Sequence, residues 1–140
     1  MSIENTLAII KPDAVAAGST GKIIDMIESS DFEIVAMKKA HLSSAQAQGF
    51  YAVHSERPFF SSLIEFMTSG PVFVSVLEGE NAIARYREVL GATNPAEADA
   101  GTVRALYGTD IEKNAAHGSD GPDTAKTEIS FFFEDGDIVG

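Results

Sequence analysis

The 140-residue sequence contains no cysteine. Disulfides and thiolate metal sites are therefore excluded, and the composition suits a reducing compartment. No stretch approaches the ~18 consecutive apolar residues of a membrane span. The opening Met1-Ser2-Ile3-Glu4-Asn5 lacks the basic start and apolar core of a signal peptide. Both absences lead us to expect a cytoplasmic protein with no membrane partner. Repeats, linkers and low-complexity stretches are also missing, so one domain over residues 1–140 is expected. Basic residues are scarce, 10 against 21 acidic ones, for a net charge of −11. Such a surface repels nucleic acid, so no specific nucleic-acid partner is expected. The plain reading of the charge is solubility; the sharper one is tolerance of high salt, where screening relieves self-repulsion.

What the chain does have is apolar residues, 44% of the total, enough for a packed core. Leu7-Ala8-Ile9-Ile10 is a continuous apolar run ended by Lys11-Pro12-Asp13, the pattern of a strand buried on both faces. Ile23, Ile24 and Ile27 share one face of a helix that ends near Ser29-Ser30-Asp31. Glu33 to His41 reads as a second strand, with Lys38-Lys39 at its charged end marking a sheet edge. Ser43-Ser44-Ala45-Gln46 has capping-box spacing and opens a helix to about Val53. Pro58 suits the first turn of another helix, with Phe59, Phe60, Leu63, Ile64 and Met67 at helical spacing.

Val72 to Leu77 is the second nearly continuous apolar strand, followed by a helix burying Ile83, Tyr86 and Leu90. Gly91 to Ala100 is a small polar loop, Thr102 to Tyr107 a short helical piece, and Pro122 to Lys126 another. Ile129 to Phe133 reads as the last strand. Two apolar strands, the first and third, belong in the middle of a sheet, with the second and fourth at its edges. Helices on one face then give an α+β, ferredoxin-like sandwich on a four-stranded antiparallel sheet.

Two segments invite a chemical reading. Gly18-Ser19-Thr20-Gly21-Lys22 looks like a phosphate loop but fails as one. Ala16 stands where the first glycine belongs, and Ile23 where a magnesium-binding hydroxyl belongs. Asn114-Ala115-Ala116-His117-Gly118-Ser119-Asp120 is more informative. Small neighbours leave the imidazole reachable, and an imidazole nitrogen with a free lone pair is a nucleophile that needs no separate base.

With these residues in view, the chain resembles the nucleoside diphosphate kinase family from about Thr6 to Phe133. The resemblance rests on Lys11-Pro12-Asp13, on Tyr51 to His54, and on Glu56-Arg57-Pro58-Phe59-Phe60. It rests further on Gly91-Ala92-Thr93-Asn94-Pro95, on Gly101-Thr102-Val103-Arg104 and, most specifically, on the histidine segment. It implies transfer of the γ-phosphate of a nucleoside triphosphate to a nucleoside diphosphate, by a ping-pong route through a phosphohistidine. His117 is then the nucleophile. Lys11, Arg87, Thr93 and Arg104 correspond to phosphate ligands, and Asn114 with Lys11 to sugar contacts. Phe59 lies against the base, with His54 near the phosphates. Tyr51, Ser119 and Glu128 help order the site. Mg2+ is implied as cofactor, held mainly by the nucleotide phosphates rather than by protein ligands.

The resemblance also implies a homo-oligomer. Its shared unit is a dimer around the second strand and neighbouring helix, which some members build into tetramers or hexamers. Glu134-Asp135-Gly136-Asp137, following the expected last strand, is expected to disfavour higher assembly by like-charge repulsion. Two positions depart from the common pattern. Gly121 stands where many members have serine, and Ala100 where many have proline. The alternative function is a non-catalytic nucleotide-binding or regulatory module on the same fold. A histidine metal site is the weaker third reading, since His41, His54 and His117 form no close-spaced pair.

Overall fold

The computed structural model describes residues 3–139; Met1, Ser2 and Gly140, at the ends of the expected domain, lie outside the described residues. The sheet has four antiparallel strands in the order β2-β3-β1-β4. They are β1 (Ile3–Ile10), β2 (Glu33–Ala40), β3 (Val72–Glu80) and β4 (Ala116–Gly118). The two apolar strands do occupy the centre, where Leu7, Ile9, Ile10, Val72, Val74 and Val76 have no exposed surface. A strand flanked on both sides and covered on both faces has few positions that tolerate a polar side chain cheaply, which is why Leu7–Ile10 is unbroken and Val72–Leu77 is interrupted only by Ser75.

The helices cover both faces rather than one. On one face α3 (Ser44–Phe50), α4 (Phe60–Met67) and α7 (Pro122–Phe132) pack over Leu7, Ile9, Val72, Val74 and Val76. On the other, α1 (Pro12–Ala16), α2 (Thr20–Ser29), α5 (Ala82–Leu90) and α6 (Val103–Tyr107) pack over Ala8, Ile10 and Leu77. The alternation along β1 splits its side chains between the two cores, as a period-2 strand must.

The segment from Pro122 to Phe132 is one helix, not a helix followed by a strand. The β-branched and aromatic composition of Ile129 to Phe133 suggests extended chain. No glycine or proline interrupts residues 123–132, however, and Ala125, Ile129 and Phe132 fall at helical spacing on the helix's inward side, Ala125 buried and the other two packed in the core. The fourth strand is instead the histidine segment itself, short enough to pass for a loop. Ile9 lies opposite His117 in the β1–β4 register.

Chain punctuation behaves largely as its chemistry dictates. Ser43 accepts from the Gln46 N–H at 3.1 Å while the Ser43 N–H donates to Gln46 Oε1 at 2.9 Å, a complete capping box. Pro58 lies before α4 rather than in its first turn, and Phe59 is the N-cap residue. The Glu134–Asp137 stretch follows α7, where Asp135–Asp137 makes a single 3-10 turn with exposed carboxylates. Beyond it Ile138 packs on the core and the Val139 N–H donates to the Val35 carbonyl at 2.9 Å, at the bulge of β2. No helix among the described residues is long and apolar enough to cross a membrane.

Candidate active site

Three structural devices fix His117 in place. Its backbone is strand β4, bonded to the buried half of the central strand β1. Gly118 follows it because nothing larger fits: a Cβ there would lie 2.8 Å and 2.9 Å from ring carbons of Tyr86. Ala115 precedes it at φ 76°, in a conformation uncommon for residues with a Cβ. The Ala116 N–H donates to the Asn114 carbonyl at 3.0 Å across that residue, closing a tight three-residue turn.

The imidazole is oriented by a chain of hydrogen bonds that starts in β1. The Leu7 N–H donates to Ser119 Oγ at 3.2 Å, and the Ser119 hydroxyl donates to Glu128 Oε1 at 2.6 Å. The same carboxylate oxygen lies 3.0 Å from His117 Nε2. A carboxylate accepts, so Nε2 carries the hydrogen and Nδ1 keeps the lone pair. Glu128 comes from the middle of α7, which explains why a helix and not a strand is needed there. The ring of Phe50 meets the imidazole edge-on, centroids 5.6 Å apart, and closes off one side of it.

His117 opens into a cavity of about 420 Å3, within the usual range for small-molecule sites. Lys11, Tyr51, His54, Phe59, Arg87, Thr93, Arg104 and Asn114 all line it, so nine of the eleven residues singled out in the sequence, His117 included, share one cavity. Ser119 and Glu128 stand behind it as described. Phe59 is 46% exposed and faces the cavity rather than the core, a consequence of its place before the helix and not within it. The His54 ring packs between Tyr51 and Phe59, with centroid separations of 6.4 Å and 5.5 Å.

The cations differ in how they are held. Lys11 is buried at the end of β1 and donates to Asn114 Oδ1 at 2.8 Å. Burial, followed by the like charge of Arg104, brings its pKa down from 10.5 to about 8, against the pull of Asp13 and Glu112. Asn114 is held in turn, its amide donating to the Thr93 and Ile111 carbonyls at 3.1 Å and 3.0 Å. Arg104 spends two N–H groups on the Gly91 and Ala116 carbonyls, at 3.0 Å and 2.9 Å. Burial lowers its pKa, and the neighbouring charge of Arg87 acts the same way. Arg87 itself is exposed in the last turn of α5. A protein of net charge −11 thus gathers three of its 10 basic residues in one cavity. Like charges brought together in this way favour a polyanion between them.

Burial, with the Glu128 carboxylate adding to it, pushes the Tyr51 phenol well above its ordinary range. It therefore remains a hydrogen-bond donor, and its buried hydroxyl has no partner among the described residues. Sequence reasoning overlooked Leu63, Ile111, Glu112 and Asp120, which also line the cavity. Ile111 carried the clearest signal in the sequence, an apolar side chain in an otherwise polar loop between Asp110 and Glu112, and the structure leaves it 61% exposed. Among the described residues no group of three or more histidine, cysteine or acidic side chains gathers as a metal site.

A family profile described as nucleoside diphosphate kinase matches residues 4–138. A protein of that name from Nitratidesulfovibrio vulgaris is 58% identical over 138 residues, 99% of each chain. One from Francisella philomiragia is 57% identical over 140 residues, the whole of both. The solved nucleoside diphosphate kinase of Aquifex aeolicus superposes with a TM-score of 0.97 at 48% identity, covering 99% of this chain and 100% of that one.

Proposed function

The chain belongs to the nucleoside diphosphate kinase family, and on that premise we propose that His117 carries the phosphoryl group between two nucleotides in a ping-pong cycle. The activity is transfer of the terminal phosphoryl group of a nucleoside triphosphate to a nucleoside diphosphate. The observation that carries the role of His117 is the relay from Leu7 through Ser119 and Glu128 to Nε2. It leaves Nδ1 with a lone pair, in a cavity lined by cations.

In the first half-reaction Nδ1 forms a bond to the γ-phosphorus. The bond from that phosphorus to the β,γ-bridging oxygen breaks, and the diphosphate leaves with the electron pair. The Nε2 hydrogen stays where it is, and the Glu128 carboxylate balances the positive charge that develops on the ring. The second diphosphate then attacks the phosphorus and Nδ1 recovers its lone pair. Lys11, Arg87 and Arg104 hold the phosphate oxygens, Arg104 from a guanidinium already fixed by two carbonyls. Thr93 contributes a hydroxyl, and the Lys11–Asn114 pair meets the sugar. The base lies against Phe59, and Ile111, from the same loop as Asn114, also lines the cavity. Stacking of this kind accepts any base.

The cavity's donor set suits a divalent cation brought in on the phosphates, which we take to be Mg2+. Asp120 is a cavity carboxylate free of protein hydrogen bonds among the described residues, available to the ion's water shell. When bound, the ion screens phosphate charge. The reading extends to one domain over residues 1–140, a homodimer, and a cytoplasmic setting. A non-catalytic binding module is not favoured, since the relatives named above carry the enzyme's name over the full chain.

Incubation with γ-labelled ATP tests the central step. Wild type acquires acid-labile, base-stable label, and His117→Ala acquires none. Label on the variant, or none on either protein, refutes the role of His117.

A further inference from the structure

Asp13 belongs to none of the groups described so far, yet it reaches the turn before His117. Its Oδ2 accepts the N–H of Ala115 at 3.1 Å, across 102 residues of sequence. Ala115 has no exposed surface, so that N–H has no access to solvent. The Ala115 carbonyl is held by the neighbouring residue, accepting from the Lys11 N–H at 2.9 Å. One peptide group on each side of Ala115 is thus gripped by the short stretch Lys11-Pro12-Asp13. Pro12 starts α1 and turns the chain so that the amide of Lys11 and the carboxylate of Asp13 face the same segment.

We infer that Asp13 is a positioning residue for phosphoryl transfer: its carboxylate pins the Ala115 turn and so sets the direction from which His117 presents its ring. The inference rests on the reading of His117 as nucleophile. The physical case is that a residue with a Cβ at φ 76° relaxes unless its surroundings hold it there. Of its two peptide groups, the carbonyl is held by backbone and would survive side-chain changes. Among the described residues the N–H is held only by Asp13. Releasing it lets φ of Ala115 move toward negative values, which swings Ala116 and tilts the first residue of β4. His117 is the next residue, and the β4 ladder is only three residues long, too short to absorb the tilt. The Nε2–Glu128 bond, made at 3.0 Å, is then the contact that lengthens.

Asp13 is also near Lys11, whose charge it helps to hold. A mere charge effect and a positioning effect make opposite demands on two conservative variants. Asp13→Asn removes the charge but keeps an oxygen acceptor in the same place. Asp13→Glu keeps the charge and moves the acceptor by one methylene. Two readouts serve: steady-state kcat and KM, and long-range proton–nitrogen NMR of the imidazole rings in the full chain. The chain's three histidines make that spectrum assignable.

For Asp13→Asn we expect kcat within about twofold of wild type and an unchanged His117 ring pattern. For Asp13→Glu we expect kcat to fall roughly ten- to hundredfold, the scale of an ångström-sized misplacement. KM should stay within a few-fold, and the single Nε2–H pattern of His117 should broaden or split. Asp13→Ala should behave as Asp13→Glu if it folds; the pair of conservative variants decides the matter if it does not. Wild-type kcat and ring pattern in Asp13→Glu overturn the inference. So does an Asp13→Asn loss as large as that of Asp13→Glu, which would assign the effect to charge. A wild type that takes no label while Asp13→Glu still alters the ring signal would remove the nucleophile reading and leave the turn-pinning intact.

Discussion

Lys11 and Asn114 are joined side chain to side chain inside the protein, with Nζ 2.8 Å from Oδ1. The first directly follows β1 and the second opens the turn to β4, so the bond ties the ends of the two strands together at the cavity. It also leaves a buried ammonium whose pKa is down at about 8. Nucleotide binding should therefore weaken as pH rises from about 8, with KM climbing up to tenfold per unit where a charged Lys11 is required. Lys11→Arg should flatten that limb, because guanidinium keeps its charge.

Stability should move the other way. The unfolded chain holds the Lys11 proton up to about pH 10.5 and the folded chain only to about 8. Between those values unfolded protein binds more protons, so stability rises with pH. Below pH 8 the full cost is present, roughly 3 kcal/mol from a shift of that size. Denaturant melts of wild type and Lys11→Met at pH 7 and pH 10 check this: the advantage of the methionine variant should shrink at the higher pH.

Ser119 and Glu128 should separate structure from chemistry. Ser119 is fully buried and is the partner of the Leu7 N–H, so Ser119→Ala should cost about 1–3 kcal/mol of stability as well as activity. Glu128→Gln keeps the shape but can no longer balance charge on the ring. Its kcat should fall about ten- to hundredfold, the equivalent of a charge-assisted hydrogen bond, with little change in melting. Stopped-flow phosphorylation paired with thermal melts distinguishes the two.

Arg87 and Arg104 should not behave alike. Arg87 is exposed, so Arg87→Ala should lower kcat/KM about tenfold or more and leave stability within about 0.5 kcal/mol. Arg104 braces the Gly91 and Ala116 carbonyls, and Arg104→Ala should lose activity and also destabilise by about 2 kcal/mol. Equal melting points for the two variants would contradict this division.

Phe59→Ala and Ile111→Ala should each weaken binding of all nucleoside diphosphates by similar factors. A stacked base is worth about 1–3 kcal/mol regardless of its identity. Calorimetry with a purine and a pyrimidine diphosphate tests this, and a loss confined to one base would rule out the stacking account.

The cavity was legible from the sequence because its residues sit in distinct motifs: Lys11 after an apolar strand, Arg104 after Gly101-Thr102, His117 among small residues. The sheet's centre was legible because burial on both faces leaves apolar residues throughout Leu7–Ile10 and at every position of Val72–Leu77 but Ser75. The fourth strand was not. Ala116–Gly118 is too short for any alternation to show, while Ile129–Phe133 has strand composition although its first four residues end a helix whose spacing was the better guide. Helices on both faces were missed for a related reason: a periodic stripe shows that a helix has a buried side, not which face of the sheet it meets. Phe59 was the subtler case. Its spacing with Leu63 is that of a core pair, and only the start of α4 one residue later turns its ring outward.

The bond from Leu7 to Ser119 spans 112 residues of sequence. The chain threads both cores between those two positions, so the relay that aims His117 closes only after the intervening elements have docked. Non-local closure of this kind comes at a high entropic cost and forms late in folding. During synthesis, β1 must wait beside β3 with its other edge open until the histidine segment leaves the ribosome. With His117 as the proposed nucleophile, the capacity to take up a phosphoryl group is then a late-acquired property of the chain, absent while only β1 and β3 are paired.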